Sequence, residues 1–122
     1  MSVQTYTIRG KIKPYVRMTQ RSKWTDPQAR EYLASKMAIG LQLKGQLTRN
    51  GNGMFPRRTP LAAHITIWEP GGFHNKDLDN QVKAILDSAQ GIVFHDDRWI
   101  DCITAERLPG QCYAISMRIE EL

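Results

Sequence analysis

Cysteine, histidine and long apolar runs are all scarce in this sequence of 122 residues, which holds two Cys and three His. Two cysteines do not make the stapled framework of a small secreted domain. Cys102 and Cys112 flank "LPG", which reads as a tight turn between two strands. With Pro109 and Gly110 as the turn pair, Cys102 faces Met117 and Cys112 faces Arg107, too far apart to bond. Both thiols are therefore expected to be reduced and structural. His64, His74 and His95 do not fall at metal-ligand spacing, and His64 reads as a strand residue with a satisfied ring. No apolar run approaches the ~20 residues needed to cross a bilayer. The opening "MSVQTYTIRGKIKPY" lacks the apolar core of a secretion signal, so the expectation is a cytoplasmic protein. No repeat, linker or low-complexity tract interrupts the chain. Residues 1–122 are expected to form one domain, large enough to bury a core without disulfide or structural metal.

What the chain does carry is positive charge: 17 Lys and Arg against 12 Asp and Glu, a formal net charge of +5. That balance favours a polyanionic partner, nucleic acid before an anionic membrane. "TYTIRGKIK" alternates Tyr6, Ile8, Gly10 and Ile12 against polar and basic neighbours, a strand with one wet face. "PYVRMTQRSKW" has no period and reads as a basic loop carrying Arg17, Arg21 and Lys23. "TDPQ" suits a helix start, with Thr25 and Gln28 as a capping box and Pro27 in the first turn. From there Ala29, Tyr32, Leu33, Met37, Gly40 and Leu41 recur at helical spacing to about Leu47. "TRNGNGMFPRRTP" is a loop bearing Arg57 and Arg58, long enough for disorder or a binding role. "LAAHITIWE" is apolar on both faces and so a central strand.

A second helix follows Asp77, its apolar face Leu78, Val82, Ile85, Leu86 and Ala89, closed by Gly91. Then come a short apolar piece, the acidic corner "HDD", one strand, and a last strand turning Tyr113, Ile115, Met117 and Ile119 inward. The order strand, helix, strand, helix, strand, strand predicts an α+β domain: a four-stranded mixed sheet with two main helices packed on it.

The stretch "KDLDNQVKAILD" places two carboxylates, Asp77 and Asp79, two residues apart. On a regular helix such residues point about 200° away from each other. They share a side only if the chain is still extended at Asp77, as at an N-cap. Two readings compete. In one, the acids complement the helix dipole and Asp79 pairs with Lys83 one turn on. In the other, they await a cation, joined by "HDD" if the chain doubles back to bring that corner alongside.

The residues "KDLDNQVKAILDSAQGIVFHDDRWI" resemble the RusA family of Holliday-junction resolvases, small homodimeric endonucleases of bacteria and prophages. The resemblance rests on a basic residue before D-L-D-N, a lysine three residues after the Asn, L-D near the helix end, and D-D after a short apolar piece. It is close from Lys76 to Ile100; elsewhere it extends to element order and the basic segment "KPYVRMTQRSKW". It implies that Asp77, Asp79 and Asp97 bind Mg2+, with Mn2+ able to substitute, and that Lys83 is an essential partner. It also implies a homodimer, which agrees with a chain too small to present two active sites to a two-fold substrate. Asp96 is the neighbouring alternative to Asp97. Arg17, Arg21, Lys23, Arg57, Arg58 and Lys76 are the candidates for phosphate contact, and Phe73 either packs in the core or wedges at a junction centre.

The expected activity is a Mg2+-dependent endonuclease that cuts four-way DNA junctions by paired symmetric nicks. Two alternatives stand beside it: a nuclease of branched or flap DNA with weak junction preference, and a non-catalytic basic DNA-binding protein.

Overall fold

The computed structural model describes residues 2–13, 15, 26–71 and 77–122. Arg17, Arg21, Lys23, Trp24, Thr25, Phe73, His74 and Lys76 lie outside the described residues. Four strands, β1 (Val3–Arg9), β2 (Leu61–Glu69), β3 (Ile100–Pro109) and β4 (Ala114–Glu121), form one sheet. Helix α1 (Pro27–Arg49) follows β1, helix α2 (Leu78–Ala89) follows β2, and a short 3-10 turn at Asp97–Trp99 leads into β3. The sheet order is β1-β4-β2-β3, with β2 and β3 parallel and the other pairs antiparallel. A mixed sheet with two helices is what the alternating patterns predict.

Strand side chains alternate between two faces. Tyr6 and Ile8 of β1, Leu61, Ala63, Ile65 and Ile67 of β2, and Ile115, Met117 and Ile119 of β4 are all buried in one cluster. Tyr32, Ile39 and Leu43 of α1 join that cluster, as do Val82, Ile85, Leu86 and Ala89 of α2. Both helices therefore cover the same face. On the other face, Thr5, His64, Thr66, Thr104, Ser116 and Arg118 line an open, shallow depression. His64 is satisfied as expected, with Nδ1 2.6 Å from Thr104 Oγ1 and Nε2 2.8 Å from Glu120 Oε1.

Three local expectations are corrected. The N-cap of α1 is Asp26, whose Oδ1 accepts from Gln28 N at 2.9 Å, with Pro27 at the first position. Aspartate caps as well as threonine does, and it stands directly before the proline. Met37 and Leu41 point outward, 69% and 71% exposed, because the sheet takes Ile39 and Leu43 instead. Residues two apart on a helix lie on opposite sides, so one pair excludes the other. Tyr113 precedes β4 and is exposed, leaving Ile115, Met117 and Ile119 as the inward row.

The larger correction concerns "LPG". β3 and β4 do not form a hairpin: they flank β2 on opposite sides, so the chain from Pro109 to Tyr113 crosses the end of β2. Cys102 lies beside Ala62 of β2 rather than facing Met117. Both cysteines are free and exposed, not structural. The crossing depends on Gly110, whose amide donates to Glu69 O at 2.9 Å. A Cβ there would stand 3.0 Å from Trp68 Cβ, an atom fixed by its own backbone. Gly110→Ala is thus expected to destabilise the fold by about 1–3 kcal/mol through overpacking. Thermal denaturation checks it, and an unchanged midpoint would show that the crossing has slack.

The β1 edge of the sheet is covered by side chains. Gln42 and Gln46, one turn apart on α1, close the edge of β1. Gln46 Oε1 accepts from Thr7 N at 2.8 Å and its Nε2 donates to Thr7 O at 2.6 Å. Gln42 binds Arg9 in the same two-way fashion, at 2.8 and 2.9 Å. These amides occupy the backbone groups that an incoming strand would need.

Candidate functional site

The site begins at the entrance to α2. Asp77 holds the N-cap position with extended backbone, φ −77° and ψ 135°, and its side chain makes no capping hydrogen bond. Its carbonyl receives the first helical bond, from Gln81 N at 3.2 Å. Asp79 Oδ1 accepts from Asn80 N at 2.9 Å. The capping role proposed for the pair is filled by Asp79 in part and not by the carboxylate of Asp77.

What holds α2 in place was not visible in the sequence. Gln81, 1% exposed, sits inside the apolar stripe and donates to Glu69 Oε1, itself on a residue 4% exposed at the end of β2. Arg107 Nη1 of β3 donates to Gln81 Oε1 at 3.2 Å. This buried relay ties the helix entrance to two parallel strands. The available signal was a lone glutamine between Asn80 and Val82 on an otherwise apolar face, which a periodicity count treats as noise.

Lys83 does not pair with Asp79, as helical spacing suggested. The ion pairs among the described residues are Lys13–Glu31, Lys36–Asp87, His64–Glu120 and Arg98–Asp96. Instead the Nζ of Lys83 lies 4.2 Å from the centroid of the Tyr15 ring.

The acidic corner returns to α2 through its far end. Asp97 N donates to Gln90 Oε1 at 3.2 Å, next to the helix C-terminus. The two acids of "HDD" are distinguished by their partners. Asp96 caps the 3-10 turn, accepting from Arg98 N at 3.0 Å and from Arg98 Nε at 3.3 Å. The backbone bond from Arg98, reinforced by its guanidinium, holds the Asp96 carboxyl below the usual carboxylate range. Asp97 is pushed up, first by burial, then by the neighbouring Asp96 and the charge of Asp87, with Lys83 opposing.

Asp79, Lys83 and Asp97 line one groove of about 640 Å³, walled by apolar groups of α2 and by Ile103 and Ala105 of β3. Ile103 is 50% exposed on this edge strand. Asp77 is not among the lining residues. Among the described residues, no three His, Cys, Asp or Glu side chains are grouped as a ready-made metal cage. Asp79 and Asp97 supply carboxylate oxygens to this groove, the donor type that a hard cation keeping several of its waters takes one or two of.

Arg57 and Arg58 are exposed in the loop before β2, with Arg58 in the left-handed region at φ 64°. The loop is anchored rather than loose: Phe55 is buried and its amide donates to Val93 O at 2.9 Å, and Gln4 Nε2 donates to Gly53 O at 2.9 Å. No helix among the described residues is long and apolar enough to cross a membrane.

The family profile described as Endodeoxyribonuclease RusA matches residues 5–120 of the chain. No curated protein matches the sequence.

Proposed function

The chain belongs to the RusA family of endodeoxyribonucleases, and from that premise we propose that it resolves four-way DNA junctions as a homodimer, using Mg2+ to make paired symmetric nicks. As a member it is a hydrolase acting on DNA. The observation that carries the finer reading is the shared groove of Asp79, Lys83 and Asp97, which are separate in sequence and lie on two different elements.

Asp79 and Asp97 are the residues that would hold the ion, with Asp77 adjacent and its carboxylate uncommitted to the helix end. Bound there, Mg2+ would polarise the scissile phosphate and lower the pKa of an attacking water. Partial desolvation and the like charges of Asp96 and Asp87 raise the Asp97 carboxyl, a cost that a bound cation would relieve. Lys83 supplies positive charge for the extra negative charge that builds on the phosphate in the transition state. Arg57, Arg58 and the sequence-assigned Arg17, Arg21, Lys23 and Lys76 grip the backbone, which positions DNA without reading its sequence. Two sites related by a two-fold axis match the near-symmetry of the junction, so each copy cuts one strand.

The test compares a labelled four-way junction with linear duplex, each with and without Mg2+. Symmetric nicks confined to the junction and dependent on the ion are the expected result. Equal cutting of the linear duplex would replace junction resolution by a less selective nuclease. A shifted but uncut junction in Mg2+ would overturn cleavage by this groove.

A further inference from the structure

We propose that Tyr15 is a positioning residue for strand cleavage, its ring face holding the Lys83 ammonium at the groove; this rests on the catalytic reading of Lys83 given above. The Nζ of Lys83 stands 4.2 Å from the ring centroid, well inside the ~6 Å over which a cation is drawn to an aromatic face. Lysine is a point charge on a flexible four-carbon stem. Exposed on α2 as it is, it would wander without a partner.

The partner is itself built into the fold. Tyr15 meets Tyr32 edge to face, with centroids 5.4 Å apart and planes at 74°. Tyr32 is 1% exposed in the core. Its hydroxyl donates to Asp87 Oδ2, an oxygen that also lies 3.2 Å from Lys36 Nζ. Burial, with the bond to Asp87 second, pushes the Tyr32 hydroxyl above its ordinary range. A chain of contacts thus runs from the core through two rings to the ammonium.

A ring suits this task better than a carboxylate would. Pairing with Asp79 would orient Lys83 but neutralise it, and would occupy a group needed for the cation. An aromatic face attracts the ammonium through its quadrupole and leaves its full charge available to a phosphate. Tyr15 also lies within the basic stretch "KPYVRMTQRSKW", so the residue that orients Lys83 sits among those assigned to DNA contact.

The experiment measures single-turnover nicking of a four-way junction in Mg2+, junction affinity and thermal stability for Tyr15→Leu, Tyr15→Phe and Lys83→Ala. Tyr15→Leu is expected to lower the cleavage rate about tenfold, the size of one cation–aromatic contact near a partly dry site, with affinity unchanged. Tyr15→Phe, which keeps the ring, restores the rate. In the Lys83→Ala background, Tyr15→Leu lowers the residual rate no further. Should the leucine variant unfold, phenylalanine is compared with pentafluorophenylalanine at position 15, nearly equal in shape but reversed in ring quadrupole; the fluorinated protein is expected to be slower.

Wild-type cleavage by Tyr15→Leu, or equal rates for the two phenylalanines, with Lys83→Ala inactive, would overturn the positioning role alone. A loss from Tyr15→Leu that persists in the Lys83→Ala background would reduce Tyr15 to a packing residue. Full activity in Lys83→Ala would remove the catalytic reading of Lys83 and this proposal together.

Discussion

Asp79→Asn is expected to lower junction cleavage by about 10³-fold or more while leaving junction binding intact or tighter. The magnitude follows from metal-assisted charge stabilisation worth several kcal/mol, at about 1.4 kcal/mol per tenfold in rate. The substitution keeps shape and removes charge. An asparagine oxygen can still accept from Asn80 N, the bond Asp79 makes at 2.9 Å, so the entrance to α2 keeps its geometry. What it loses is one anionic oxygen in the groove shared with Asp97. Binding is spared or improved because the variant removes one negative charge from a surface that approaches a polyanion. Gel shift on an intact junction and single-turnover nicking in Mg2+ separate the two effects. Full cleavage by Asp79→Asn would end the assignment of Asp79 as a metal ligand.

Lys83→Ala should behave differently in one respect: it removes positive charge, yet junction affinity is expected to change little while the nicking rate falls about 10²–10³-fold, as when one preorganised stabiliser of a developing oxyanion is deleted. Affinity is spared because the phosphate grip is distributed over the six other basic residues assigned to it. Stability should move by less than about 1 kcal/mol, because Lys83 is exposed and an aromatic contact of an exposed ammonium is worth no more than that. Denaturation curves alongside nicking rates check both halves. A wild-type rate would leave Lys83 as a surface residue resting on Tyr15. The pair of variants also separates causes: Asp79→Asn should make cleavage nearly insensitive to added Mg2+, whereas Lys83→Ala should keep its metal dependence at a lower rate.

The legibility of this protein varied with the range of the interactions involved. The inward positions Tyr6 and Ile8 of β1 and Ile115, Met117 and Ile119 of β4 are legible in the sequence because side-chain direction in a strand has a period of two. The extended backbone at Asp77 was readable because an acid two residues before another, at the head of an apolar helical stripe, fits an N-cap. Along α1 the apolar pattern admits two inward faces. Met37 and Leu41 are as apolar as Ile39 and Leu43, and only contact with the sheet decides which pair turns inward. At "LPG" the turn chemistry was real, but a proline-glycine pair says only that the chain turns. It does not say that the next strand returns beside the last one, and here it crosses β2 instead.

The candidate site divides along the same line. Sequence by itself determined the family, the basic character, the acids at the helix entrance and the second pair at the corner, since these depend on residue identity and short spacings. Tertiary structure alone decided that Asp97 shares a groove with Asp79, because that return depends on α2 lying against β3 over a buried face. It also decided that Asp96 belongs to Arg98, and that Lys83 answers to a tyrosine far back in the chain rather than to the aspartate one turn away. Local spacing limits which neighbours a side chain can reach; packing of distant segments chooses among them.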